Sequence, residues 1–312
     1  MNPKSRNQRT AAFTLLELVV VLAILAVVTG LAIRAVDQVD DERRYDVSLT
    51  MLEDLEAAVL GNGEVAGFVS DMGRLPRAVG AAELSLAELW AGQGITPYDV
   101  RTSAIDAEVS LPAGWRGPYL RLPLGTAMLR DGWGNPMTSP ADPSPANPLT
   151  TGYHRLRTAA DAPITASGTD VAVIRHLGAN GEANAADEGA DRDLHVSFAN
   201  RTAASVTSPV RLVDGQGEPA PAEGGEFVKV RVFGPNPDAL TTLAAAESGA
   251  TPLAAGASEV TVPGVLPATA GFRAVRAYLY ASDGTTLLAR SQVKYLTLRP
   301  GANFVPLVIR QP

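Results

Sequence analysis

The sequence predicts an α+β protein. One long N-terminal α-helix, its first half transmembrane, packs by its second half on a small antiparallel sheet, and an all-β, sandwich-like domain follows. Three observations predict this. Residues 13–33 form a nearly unbroken apolar run. No proline interrupts the chain from Phe13 to Leu75, so one continuous helix is allowed. From about Arg201 onward, short strand-like runs recur between turns.

The apolar run, of about 21 residues, is long enough to cross a hydrocarbon core as a helix. It contains one acid, Glu17, and a carboxylate in lipid is costly enough to imply a function. Before it, residues 1–12 carry Lys4, Arg6 and Arg9 and no acid, which keeps that end on the cytoplasmic side. Losing this leader would remove three positive side chains and take the net charge from −7 to −10. An ordinary secretory signal would show a shorter apolar core with a small-x-small site after it; here Ala11 and Ala12 precede a long run. The 312 residues fit two domains or one large one, and 46% hydrophobic content lets the part outside the membrane bury a core. The net charge argues against nucleic acid held through phosphates. With no cysteine, stability must come from packing or metal rather than disulfides.

The order basic leader, Ala12, Phe13, Thr14, Leu15, Leu16, Glu17, Leu18, then an apolar helix, resembles the type IV pilin and pseudopilin family. That family usually has glycine where Ala12 stands. The resemblance implies that a prepilin peptidase cuts between Ala12 and Phe13 and methylates the new amine of Phe13. It further implies a filament subunit in the bacterial inner membrane, single-pass, with a cytoplasmic N-terminus and periplasmic C-terminal domains. Its partners would be copies of itself, other pseudopilins, the inner-membrane assembly platform and membrane lipid. The physics of Glu17 agrees with this: a charged terminal amine at the edge of lipid needs a counter-charge. Glu17 of an incoming subunit would pair with the Phe13 amine of its neighbour and fix their axial register.

Taken in order, the helix should run over 13–60, roughly 70 Å, with Gly30 a soft point. Tyr45, Leu49, Leu52, Leu55 and Val59 form an apolar stripe, preceded by Asp40, Asp41, Glu42, Arg43 and Arg44. Gly61, Gly63 and Gly67 end the helix. The 61–67 segment is a turn rather than a phosphate loop, because it follows a helix and its glycine spacing is wrong. Residues 71–76 read as a loop. Residues 82–91 read as a short helix with Leu84, Leu86, Leu89 and Trp90 as its apolar side.

Trp115-Arg116-Gly117-Pro118-Tyr119-Leu120 resembles the Trp-x-Gly-Pro-Tyr-Leu segment of the major pseudopilin of type II secretion. Asp131-Gly132-Trp133-Gly134-Asn135-Pro136 resembles that family's Asp-Pro-Trp-Gly-Asn-Pro turn, with Gly132 in place of proline. Physically both are tight turns pinned by aromatic rings. Residues 139–148 read as an exposed insertion and 171–174 as a strand. His176-Leu177-Gly178-Ala179-Asn180-Gly181, followed by Asp187, Asp191 and Asp193, resembles the calcium loop of major pseudopilins. The resemblance implies a structural calcium held by the Leu177 carbonyl, Asn180, Asp187, Asp191 and Asp193, hard oxygen donors of the kind calcium takes. Asn180 departs from the family's acid, and a solvated acidic loop is the competing reading.

The domain plan is therefore a basic leader over 1–12, the long helix over 13–60 with 13–33 transmembrane, a pseudopilin-like head over 61–200, and an accessory β-sandwich over 201–312. Strands are expected at 209–213, 227–233, 259–262, 272–280, 286–288, 293–298 and 304–309, and the pattern loosely resembles immunoglobulin-like or transthyretin-like domains. No nucleophile elbow, zinc-protease or phosphate-loop motif occurs, so no enzyme activity is expected. His176 and His195 flank the acidic stretch and are read as structural. The functional expectation is a filament subunit of a type II secretion pseudopilus or type IV pilus-like fibre. The alternative is a membrane-tethered binding or adhesion module displaying a β-sandwich, and a tethered hydrolase using the acidic loop is a third reading.

Overall fold

The computed structural model describes residues 15–62, 64–81, 83–92, 94–140, 154–178, 192–199, 201–239 and 241–311. A single helix, α1 (Leu15–Leu60), has 46 residues, roughly 69 Å at 1.5 Å per residue. It runs without a break through Gly30, around which a side chain would meet nothing. Only its second half is buried, through Ser48, Met51, Leu52, Leu55, Ala58 and Val59.

The expected stripe is corrected at one end: Leu49 is 39% exposed and Tyr45 half-buried. Ser48 takes the inward position because its side chain is used twice. Its Oγ accepts the Gly132 N–H at 3.0 Å and donates to the Arg44 carbonyl at 3.0 Å. Propensity and apolar spacing carry no trace of such a bond. α1 ends at Gly61, whose φ of +85° suits glycine and whose N–H closes on the Ala57 carbonyl at 2.8 Å.

The head follows as α2 (Phe68–Met72), β1 (Glu83–Ser85), a 3-10 turn (Ala87–Leu89), β2 (Asp99–Thr102), β3 (Ser110–Ala113), β4 (Thr138–Pro140), β5 (His154–Arg157), β6 (Val173–His176) and β7 (Leu194–Ser197). β1 pairs with β4, β2 with β3, and β5-β6-β7 form a three-stranded sheet, all antiparallel. Leu52, Leu55 and Val59 of α1 meet Phe68, Met72, Leu84, Leu86, Leu89, Met137, Leu156, Ile174 and Phe198 in one core.

Four expectations change here. Asp71 and Met72 end a short helix instead of starting a loop. Where a helix was expected over 82–91, Glu83–Ser85 is a strand and Ala87–Leu89 a 3-10 turn: Leu84 and Leu86 reach the core on a period of two, with Ser85 paired to Val79 between them. The strand expected at 171–174 lies two residues later, and residues 139 and 140 of the expected insertion belong to β4. The rest of that insertion lies outside the described residues.

The remaining strands are β8 (Ala203–Val213), β9 (Phe227–Pro235), β10 (Leu243–Glu247), β11 (Thr251–Pro252), β12 (Glu259–Thr269), β13 (Gly271–Tyr280), β14 (Leu287–Arg290), β15 (Lys294–Leu298), β16 (Gly301–Phe304) and β17 (Leu307–Arg310). They form two sheets. One has the order β10-β9-β13-β14, with β11 on β9 and β15 on β13; the other has β12-β8-β16, with β17 on β8. Val206, Val210 and Leu212 from one sheet and Val228, Val230, Val275, Ala277 and Leu279 from the other share a core. β16 and β17 run parallel to β8; the other pairings are antiparallel. The single strand expected at 304–309 is two strands, because Pro306 has no N–H to donate to a ladder.

β13 is buried on both faces. Its odd-numbered residues Val275, Ala277 and Leu279 point into the sandwich core. Its even-numbered residues Ala274, Tyr278 and Tyr280 join Phe233 and Leu243 under Val109, Leu111 and Ala113 of the head. At the centre of this joint, Arg276 is 4% exposed and Asp106 is 5% exposed. The Arg276 guanidinium donates to both Asp106 oxygens at 3.1 and 2.8 Å, to Glu108 at 2.7 Å and to the Ser291 carbonyl at 2.8 Å. The Tyr278 hydroxyl also donates to Asp106, and Arg290 pairs with Glu108. Burial pushes the Asp106 carboxyl up, but the Tyr278 hydroxyl and Arg276 outweigh it and hold the pKa below its ordinary 3.8.

A second tie lies at the start of β13. The wholly buried Arg273 donates to the Thr269, Ala270, Phe272 and Ser70 carbonyls at 2.7–2.9 Å, joining α2 to the sandwich. Burial lowers its pKa to about 10.

Candidate functional site

The first half of α1 sets the site. From Leu15 to Asp40 every residue is exposed, including Leu15 at 82% and Val27 at 64%. An 18-residue window of this helix has a mean hydropathy of 2.8 and none of it is buried. Residues 15–33 span roughly 28 Å, close to the thickness of a bilayer core. So large an uncovered apolar surface marks contact with lipid or with other apolar helices. Glu17 lies in the first turn of α1, where the positive end of the helix dipole favours an acid. Ala12 and Phe13 lie outside the described residues.

The two aromatic turns are built into the head and brace the buried half of α1 and the strand ends. Trp115 donates from Nε1 to the Glu88 carbonyl at 2.7 Å, and the Tyr119 hydroxyl donates to Asp71 at 3.0 Å. Burial pushes the Asp71 carboxyl above its ordinary value, against the pull of Arg116 at 3.0 Å; burial also raises the Tyr119 hydroxyl. In the second turn, Asp131 accepts the Trp133 and Asn135 N–H groups at 2.9 and 2.8 Å. Gly132 presses on α1: a Cβ there would lie 2.0 Å from the Arg44 carbonyl oxygen. Its N–H is the one held by Ser48, so a proline could neither fit nor donate here.

The sequence-predicted metal residues are only partly in view. β6 and β7 pair His176 with Leu194, so Leu177 and Asp193 leave adjacent strand ends. Asn180, Asp187 and Asp191 lie outside the described residues. Among the described residues, no group of three or more His, Asp or Glu side chains stands together as a metal cage. His176 and His195 do not meet. His195 is opposite Arg175 and exposed, whereas His176 points inward and is fully buried. The Gly178 N–H donates to His176 Nδ1 at 3.0 Å, which puts the imidazole proton on Nε2, 3.3 Å from Asp131. The Trp133 ring lies 5.4 Å away. The second aromatic turn therefore clamps the base of the acidic stretch. Sequence reasoning treated the two motifs separately, and with Asp131 and His176 45 positions apart no spacing signal joined them.

Residues 7–33 match the prokaryotic N-terminal methylation motif. No curated protein matches the sequence. Among solved structures, a leucine-rich repeat protein from Bacteroides thetaiotaomicron is similar over 51% of this chain, at 16% identity and a TM-score of 0.23. The chain spans 22% of that protein's length, and a likeness of that size carries no argument.

Proposed function

We propose that this chain, which carries a type IV pilin-like, prepilin-type N-terminal signal and the long apolar helix that goes with it, is a non-enzymatic subunit of a type II secretion pseudopilus or a related pilus-like filament. The signal implies processing by a prepilin peptidase and pilin-like assembly, and the helix is consistent with a single-pass membrane anchor. The observation that carries the reading is the uncovered apolar half of α1, rigidly continuous with a half that is gripped by the head. Such a rod holds its subunit in the bilayer and, withdrawn from it, must find apolar neighbours. Cleavage lies between Ala12 and Phe13, and Glu17 pairs with the new amine of an adjacent copy. Structural calcium belongs to the same reading, with Leu177, Asn180, Asp187, Asp191 and Asp193 as its donors.

The decisive experiment is the mass of the mature N-terminus. A chain beginning at methylated Phe13 supports the proposal, and an intact Met1 defeats it. Glu17→Ala is expected to be processed and inserted yet absent from sheared fibres; normal incorporation would remove the role given to Glu17. For calcium, the melting temperature should rise at millimolar calcium, and no shift would count against the site.

A further inference from the structure

We propose that a groove beside the second half of α1 seats the helix of a second copy of this chain, with Asp40 of one copy pairing with Arg43 and Arg130 of the next. The inference rests on the filament reading above and names the contact that fixes neighbours outside the membrane.

The groove holds about 430 Å³. Its apolar floor includes Val47 and Met51 of α1 with Leu120 and Leu129 of the facing segment, and Arg43, Arg121 and Arg130 stand around it against Asp46 and Asp54. Val47 is 49% exposed within it. Arg43 is exposed and makes no ion pair with a described residue. Arg130 spends Nη1 on the Gly134 carbonyl at 2.6 Å, which leaves donors of its planar fork for a carboxylate.

The matching shape is on the same helix, one step nearer the membrane. Val36, Val39 and Asp40 stand at i, i+3 and i+4 and so share a face. Both valines are 63% exposed; Arg34 precedes them and Asp37 stands between them, so they lie past the charge-free apolar run that ends at Ile33. Asp40 makes no ion pair with a described residue, whereas Asp41, on the adjacent face, is paired with Arg44 at 3.6 Å. Two valines and one acid face outward; an apolar floor and surplus arginines lie open to receive them.

The axial arithmetic agrees. Shifting one copy by the four residues that set Glu17 beside residue 13 of its neighbour moves it by roughly 6 Å. The same shift brings Asp40 of that neighbour level with residue 44 of the shifted copy, at the mouth of its groove beside Arg43. Gly132 touches α1 at Arg44, so Arg130 is at that level too. One displacement therefore serves both the membrane end and the groove.

The chain has no cysteine, so introduced thiols are the only ones present. Chains carrying Asp40→Cys and chains carrying Arg130→Cys, co-expressed in the native host and oxidised, should give a covalent dimer in the sheared fibre fraction beyond what either variant gives alone. Arg130→Glu and Asp40→Arg should each lower the sheared fraction at least tenfold with N-terminal processing intact, and the double variant Asp40→Arg/Arg130→Glu should recover it. Fibres that form from both cysteine variants without that dimer overturn the inference and leave the filament reading standing. Wild-type chain that is processed but never sheared from cells overturns both.

Discussion

Two joints hold this molecule together, and they are made of different material. The joint of α1 on the head is dry: Leu52, Leu55 and Val59 lie at 0–1% exposure among leucines, methionines and phenylalanines. The joint of the head on the sandwich is ionic at its centre, where Asp106 and Glu108 meet Arg276, Arg290 and Tyr278 inside an apolar rim. The dry joint draws on area removed from water and tolerates small errors of fit. The ionic joint is unforgiving, because desolvated charges are tolerable only while every partner is present.

The largest effect should come from breaking the ionic joint. Asp106→Ala leaves Arg276 buried without its main partner, which costs about 3–5 kcal/mol. The expected outcome is that a single unfolding transition splits in two, the head read by tryptophan fluorescence and the sandwich by amide hydrogen exchange of its own peptides. All three tryptophans, Trp90, Trp115 and Trp133, lie in the head, so the two readouts are separable. Leu55→Ala at the dry joint should cost about 2–5 kcal/mol. Leu25→Ala, on the uncovered half of the same helix, should leave the melt of detergent-solubilised protein within about 0.5 kcal/mol. Equal effects at 25 and 55 would erase the contrast between the halves.

Acid should separate the joints further. Asp106 has a folded pKa below its ordinary 3.8, so its contribution is complete above that value and is lost as the pH falls through the lowered one. Asp71, beside α1, is shifted the other way, so the cost of burying its charge is relieved as the pH falls. Below about pH 4 the sandwich readout should therefore lose stability before the head readout does; simultaneous loss would contradict the assignment. A smaller effect than at Leu55 is expected from Ser48→Ala, which removes the acceptor of the Gly132 N–H and should cost about 1 kcal/mol, read as a lower urea midpoint with an unchanged slope.

The same difference of material explains what was legible in the sequence. A dry helix face repeats every three to four residues, so Leu52, Leu55 and Val59 announce it. Strands such as Phe227–Pro235 show alternation as plainly. Polar bonds carry no period. Nothing in the spacing ties Asp106 to Arg276, 170 residues away, or puts Ser48 rather than Leu49 against the head. β10 was missed because Leu-Ala-Ala-Ala-Glu has no β-branched residue, and its place comes from pairing with β9. At the candidate site the uncovered apolar half of α1 was legible from composition alone. The clamp of His176 by Asp131 was not, since it depends on a turn meeting a strand end in space.

The double burial of β13 has a mechanical consequence. Tension or thrust delivered along α1 reaches the sandwich in good part through side chains of β13, Arg273 taking it from Ser70 and Arg276 from Asp106. That strand is itself sewn into its sheet by seven backbone pairs with β9, from Ala274–Phe233 to Tyr280–Phe227. Under load, the side-chain clasp is the weak link and the woven sheet behind it the strong one, so the outer domain should come away intact before it unravels.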